Sequence, residues 1–334
     1  MPEPQLRACI KGTGSFAPEA VLTNSDLESV VDTSDEWITK RTGIKERRIA
    51  TDGLRTSDMA ARAAEEALAS AGVAAAEIDL IVVGTVTPDR QFPSCACTLQ
   101  DKIGAGRAAA MDVSAGCSGF IYALSVANNA IRCGEAEHAL VLGAEALSTV
   151  INWSDRSTCV LLGDGAGAVV LGRTTADTGI RSVLLRSDGA YGDLLYAMDQ
   201  WEPRSSLPML AGASLKPYYL VMDGRRLFKK AVECLEEITR SALDRAKVAT
   251  EELSLVVPHQ ANLRIINALA ERLGLAQDKV YTTIQKYGNT SSASIPIALD
   301  EARKAGCLRP LDKLLMVTFG AGLTWGASLL EWSA

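Results

Sequence analysis

The order of patterns in the second half of this chain repeats the order in the first. Ser57 to Ala71 reads as an Ala-rich amphipathic helix, with Met59, Ala63, Leu68 and Ala71 facing inward and Glu65 and Glu66 outward. Ile78 to Val83 is a fully apolar strand, Cys97 to Ile103 a short helix, and Ala108 to Val113 a second strand. Phe120, Ile121, Leu124, Ala127 and Ile131 then recur at helical spacing, and Ala139 to Gly143 is a third strand. Val160 to Gly172 reads as two short strands broken by Gly163-Asp164-Gly165-Ala166-Gly167. The second half has a helix over Arg225 to Ala246, a strand over Leu253 to Val257, and helices over Leu263 to Leu273 and Ser294 to Ala305. It closes on a strand pair, Leu314 to Leu330, broken at Gly320-Ala321-Gly322. Apolar strands alternating with helices are what parallel-rich sheets covered on both faces require. The expectation is an α/β chain of two pseudo-equivalent halves, residues 1–175 and 176–334. Residues 187–221 break the pattern with Trp201, Pro203, Pro208 and Pro217, and read as a functional cap or a flexible loop.

Length and composition bound the function class. The chain has 334 residues, 48% of them hydrophobic and 22% charged, enough for a large core. A net charge of -6 gives no bulk attraction to nucleic acid or an anionic membrane. Met1-Pro2-Glu3-Pro4 lacks the basic and apolar regions of a signal peptide, and no apolar run approaches the ~18 residues of a membrane span. A soluble, cytoplasmic protein is expected. The eight cysteines are scattered through a long chain and are expected to be reduced. Cys95-Ala96-Cys97 has too short a spacer for a zinc knuckle, and with only His138 and His259 available a structural zinc site is not expected.

Cys117 reads either as a buried core cysteine or as a nucleophile, and its surroundings favour the nucleophile. It lies in Asp112-Val113-Ser114-Ala115-Gly116-Cys117-Ser118-Gly119-Phe120, between a strand and a helix, with a glycine on either side giving backbone freedom and room for a ligand. A thiol at a helix N-terminus faces unpaired N–H groups and the positive end of the dipole, which favour its nucleophilic thiolate. Cysteine nucleophiles commonly work with a histidine. His138 sits in a polar turn before a strand. His259 follows the apolar strand Leu253 to Val257, at the carboxyl end where ligands bind in α/β sheets. Asn289, in Gly288-Asn289-Thr290-Ser291, reads alone as part of a turn and helix cap, with Pro296 in the first turn of the helix.

Taken in order, these segments resemble one family. Ser34-Asp35-Glu36-Trp37-Ile38, Arg41-Thr42-Gly43-Ile44, the Cys117 segment, Gly163-Asp164-Gly165-Ala166-Gly167-Ala168, Pro258-His259-Gln260-Ala261-Asn262, Gly288-Asn289-Thr290-Ser291 and Phe319-Gly320-Ala321-Gly322-Leu323-Thr324-Trp325-Gly326 look like those of the β-ketoacyl-acyl carrier protein synthases III. These are condensing enzymes of the thiolase superfamily, and the likeness spans almost the whole chain. It implies a thiolase-like fold with layers α-β-α-β-α. It also implies a decarboxylative Claisen condensation of a short acyl-CoA, acetyl-CoA above all, with malonyl-acyl carrier protein. That reaction starts type II fatty acid synthesis, and the alternative is a secondary-metabolism relative transferring an unusual acyl group.

By the same resemblance, Cys117 attacks the primer thioester and carries the acyl group. The backbone N–H groups of Cys117 and Ala321 form the hole for the tetrahedral oxygen; many relatives have a glycine where Ala321 stands. His259, neutral and donating, and Asn289 stabilise the enolate formed as carbon dioxide leaves. Trp37 and Arg156 sandwich the adenine of CoA, with Arg41 and Thr33 near the phosphates, and Asn262 is a further CoA-binding residue. Phe92 reaches across a homodimer interface and limits acyl length. Lys229 and Arg264 contact the acidic carrier protein. No metal or redox cofactor is implied, since loss of carbon dioxide drives the step.

Overall fold

The computed structural model describes residues 6–197 and 219–333. Strand β1 (Arg7–Phe16) is followed by β2 (Val21–Thr23), α1 (Asn24–Glu28), α2 (Asp35–Thr42) and β3 (Glu46–Arg48), with β2 and β3 paired antiparallel. Next come α3 (Thr56–Ala71), β4 (Leu80–Gly84), α4 (Cys95–Lys102), β5 (Ala109–Val113), α5 (Gly119–Arg132), β6 (His138–Glu145), α6 (Arg156–Cys159) and β7 (Gly165–Thr174). They build a five-stranded sheet in the order β1-β7-β6-β4-β5. Strand β4 runs parallel to β5 and β6, and β7 runs antiparallel to β6 and β1.

The rest of the chain writes the same order again. Strand β8 (Gly179–Ser187) leads to the short antiparallel pair β9 (Leu195–Ala197) and β10 (Leu220–Met222). Then follow α7 (Gly224–Ala246), β11 (Leu255–Pro258), α8 (Leu263–Leu273), α9 (Ile284–Tyr287), α10 (Ser294–Lys304), β12 (Lys313–Gly320) and β13 (Thr324–Glu331). The second sheet has the order β11-β12-β13-β8. A lone parallel bridge from Val256 to Val280 stands beside β11 where β5 stands beside β4. Helices α7, α8 and α10 thus answer α3, α4 and α5.

Burial explains the layering. Phe120, Ile121 and Leu124 of α5 and Ile295, Ala298 and Leu299 of α10 lie in one buried cluster. That cluster also holds Val82, Val141 and Val169 of the first sheet and Val257, Leu314 and Met316 of the second, so these two helices fill the middle. Helices α3 and α4 cover the outer face of the first sheet, and α7 and α8 that of the second. The result is the α-β-α-β-α stack of a thiolase-like fold.

One expected break is absent. Gly163 to Gly167 do not divide a strand pair, because β7 runs unbroken from Gly165 and its antiparallel partners are β1 and β6. The glycine at 167 answers a close approach, since a Cβ there would stand 2.6 Å from the backbone nitrogen of Ile297 in α10. Turns and close backbone contacts both select glycine, so the local pattern suited either. In the irregular stretch, Trp201, Pro203, Pro208 and Pro217 lie outside the described residues.

Candidate active site

Cys117, His259 and Asn289 line one cavity of about 930 Å³, together with Gly320 and Ala321. Three separate stretches meet there because each ends an element at the same level of the stack. Cys117 lies between β5 and α5, His259 directly after β11, and Asn289 between α9 and α10.

Around Cys117 the two halves come into close backbone contact and are fastened by side-chain hydroxyls. Gly116 has φ 55, and a Cβ on it would stand 2.6 Å from the backbone nitrogen of Ala321. The Thr318 hydroxyl donates to the Cys117 carbonyl at 3.1 Å, Ser118 Oγ to the Thr324 carbonyl at 3.1 Å, and Thr324 Oγ1 to the Ala115 carbonyl at 2.7 Å. The main chains around Cys117 and Ala321 thereby meet at the cavity wall. Cys117 keeps some exposure, into this cavity. Burial nevertheless pushes its thiol up to about 12, with the Ser291 hydroxyl opposing the rise and the Glu145 carboxylate adding to it. This burial works against the thiolate that the start of α5 favours.

His259 is 6% exposed, and burial lowers it to about 3, so its ring is neutral at ordinary pH. Its Nδ1 lies 2.7 Å from Ser294 Oγ at the start of α10. Asn289 is held by its main chain, whose N–H donates to the Leu161 carbonyl at 2.8 Å and whose carbonyl accepts from Gly163 N–H at 3.1 Å. Its Oδ1 accepts the Ser291 N–H at 2.8 Å. The amide nitrogen makes no hydrogen bond among the described residues, which leaves its two N–H donors to the cavity.

Behind these groups stands Glu145, fully buried at the end of β6. Its Oε2 accepts from the Val86 and Thr87 N–H groups at 3.0 and 3.1 Å and from Thr87 Oγ1 at 2.6 Å. Its Oε1 accepts from the hydroxyls of Ser291 and Ser292 at 3.1 and 2.8 Å. Burial raises this carboxyl while the hydrogen bonds oppose the rise. The clamp ties the first sheet to the Asn289 loop and holds Ser291 at φ 50, a region side chains seldom occupy. Sequence reading passed over Glu145 and Ser294. An acid ending an apolar strand was a usable signal for the first, whereas Ser294 looked like one more helix-start serine.

The other expected residues divide between the cavity and its surroundings. Trp37, Arg41, Arg156, Asn262 and Arg264 line it. The guanidinium carbons of Arg41 and Arg156 lie 4.7 and 5.1 Å from the Trp37 ring centre, so both cations already rest on the indole. Asn262 Oδ1 caps α8 by accepting the Arg264 N–H at 2.9 Å. Thr33 is not in the lining, and its hydroxyl is buried without a partner among the described residues. Lys229 and Phe92 also lie outside the lining; Lys229 is exposed on α7, and Phe92 is 82% exposed. Asp89, a few residues after β4, accepts from Ser57 N–H and Oγ at 2.9 and 2.6 Å.

Two family models match: 3-oxoacyl-[acyl-carrier-protein (ACP)] synthase III over residues 111–189, and its C-terminal counterpart over residues 243–332. The chain is 52% identical to the beta-ketoacyl-[acyl-carrier-protein] synthase III of Aquifex aeolicus, over 97% of this chain and 99% of that one. It is 48% identical to the same-named protein of Caldanaerobacter subterraneus subsp. tengcongensis, over 98% of this chain and 99% of that one. The crystal structure of 3-oxoacyl-[acyl-carrier-protein] synthase III from Aquifex aeolicus superposes with a TM-score of 0.90, covering 97% of this chain and all of that one.

Proposed function

The chain belongs to the β-ketoacyl-[acyl-carrier-protein] synthase III family, and we infer how its own residues perform that family's condensation, the step that starts fatty acid synthesis. The observation that supports the reading best is the meeting of Cys117, His259 and Asn289 in one cavity. The primer is a short acyl-CoA, acetyl-CoA in the simplest case. Cys117 Sγ attacks its thioester carbon, the bond to the CoA sulfur breaks, and CoA leaves with a proton as the acyl-Cys117 ester forms. The N–H groups of Cys117 and Ala321 receive the tetrahedral oxygen.

Malonyl-acyl carrier protein then occupies the same cavity. As its carboxylate departs as carbon dioxide, charge develops on the thioester oxygen, where His259 and Asn289 donate. The resulting carbon nucleophile attacks the acyl-Cys117 ester, giving 3-ketoacyl-acyl carrier protein and a Cys117 thiolate that takes up a proton from solvent. A neutral His259 suits this role, since a donor that stays uncharged needs no proton exchange at each turnover. The carbon dioxide that leaves drives the step, so the reading calls for no metal or redox cofactor. Relatives at 48 and 52% identity sharing one name favour this primary role over transfer of an unusual acyl group.

The contacts follow from the same reading. Adenine enters between Trp37 and Arg156, with Arg41 and the Thr33 turn toward the phosphates and Asn262 also contacting CoA. Arg264, exposed at the cavity mouth with its guanidinium 5.6 Å from Phe228, and Lys229 steer the acidic carrier. A homodimer across β5 fits the open edge of that strand, the 82% exposure of Phe92 and the 41% exposure of Met111. Among the described residues no helix is long and apolar enough to cross a membrane, and the reaction belongs in the cytoplasm, beside its CoA and carrier substrates. Incubation with acetyl-CoA and intact-mass measurement tests the assignment. An acetyl adduct on the wild type that is absent in Cys117→Ala is expected, and wild-type acyl transfer by Cys117→Ala would overturn it.

A further inference from the structure

We propose that Ser294 is a positioning residue that fixes the proton of His259 on Nε2, so that the ring always presents an N–H to the cavity. The proposal rests on the reading of His259 as an enolate donor, and it supplies what that reading needs: a donor must carry its proton on the nitrogen that faces substrate.

The argument is a hydrogen-bond count around one hydroxyl. Ser294 is 2% exposed, so its Oγ has no bulk water to fall back on. It accepts the backbone N–H of Gln260 at 3.3 Å and lies 2.7 Å from His259 Nδ1. If Nδ1 carried the ring proton, both neighbours would donate to Oγ, and the hydroxyl hydrogen would need another acceptor. Among the described residues no other acceptor is hydrogen-bonded to it. The count closes when Ser294 donates to Nδ1 and the proton sits on Nε2. Charge does not reopen the choice, because the buried ring is neutral and so has one proton to assign. Both ends of the bond are anchored. The His259 N–H donates to the Val317 carbonyl at 2.8 Å, and Ser294 is the first residue of α10, whose next turns are buried in the middle layer. A ring so protonated cannot accept the Cys117 proton through Nε2, which agrees with that proton leaving on CoA.

The chain has two histidines, which makes the test direct. Histidine labelled with nitrogen-15 is incorporated into the full-length protein, and His138→Gln assigns the second set of ring signals. At pH 7.5 the resting enzyme is expected to show the protonated-nitrogen shift on Nε2 of His259 and the bare-nitrogen shift on Nδ1; the reverse pattern overturns the proposal. In Ser294→Ala the tautomer ratio is expected to move toward Nδ1–H. There, kcat for condensation should fall at least tenfold, toward the ~10²–10³ loss of a missing oxyanion donor, with KM for malonyl-carrier little changed. Ser294→Thr, which keeps the hydroxyl, should restore both readouts. An unshifted tautomer in a folded Ser294→Ala protein overturns the proposal. A shifted tautomer with undiminished kcat would instead overturn the donor role of His259, so the two readings fail separately.

Discussion

Gly320 lies directly against the main chain of Cys117: a Cβ on residue 320 would stand 2.5 Å from the Cys117 nitrogen and 2.9 Å from that of Ser118. Real Cβ atoms do not come that close to backbone, so one of the two chains would have to move. Gly320→Ala is therefore expected to push the Cys117 and Ala321 amides apart. The acylation rate measured with acetyl-CoA should fall by ~10²-fold or more, as for a lost oxyanion donor. Overpacking should also lower stability by about 1–3 kcal/mol, read from thermal or urea unfolding.

His259 ties stability to pH. Its folded value, about 3, lies below the ordinary 6.5, so between these values the unfolded chain binds a proton that the folded chain does not. The stabilisation is complete above pH 6.5 and is lost as pH falls toward 3. From pH 7 to pH 5 this one group should remove about 2 kcal/mol, at ~1.4 kcal/mol per unit. Urea unfolding of the wild type and of His259→Gln should show the acid-side slope reduced in the variant. The pH profile of condensation should carry no limb from His259 between pH 5 and 8.

Phe92 stands on the surface with 82% of its area exposed, an unusual place for so large an apolar side chain. On the dimer reading, Phe92→Ala should broaden the range of primers that acylate Cys117. Competition among acetyl-, butyryl- and longer acyl-CoAs, with malonyl-carrier present, checks this by product mass. An unchanged preference would count against a role for Phe92 in primer length.

Arg264 is exposed at the mouth of the cavity. Arg264→Glu is expected to raise KM for malonyl-carrier about tenfold at low salt and less at high salt, with KM for acetyl-CoA changed less. Titration of added salt at fixed carrier concentration measures the steering term directly.

Much of this was written in local patterns. The helix over Leu263–Leu273 and the strands beside Cys117 and before His259 follow from apolar periodicity, which depends only on neighbours in the chain. So does the turn that holds Cys117, because a strand run, two glycines and a helical run succeed one another within a few residues. Gly165 and Gly167 were misread for the same reason: the sequence shows that a side chain is missing and not whether a turn or a neighbouring helix requires it.

The amino-acid sequence by itself determined the layered α/β architecture and singled out Cys117, His259 and Asn289 as candidates for the chemistry. Only the tertiary structure decided their chemical state. The Cys117 thiol is pushed up because protein from both halves closes around it. Asn289 offers its amide nitrogen because Ser291 holds its oxygen, and His259 meets Ser294 from a different element. Ionisation, amide orientation and tautomer are set by whatever lies within a few ångströms, and here much of that comes from distant parts of the chain.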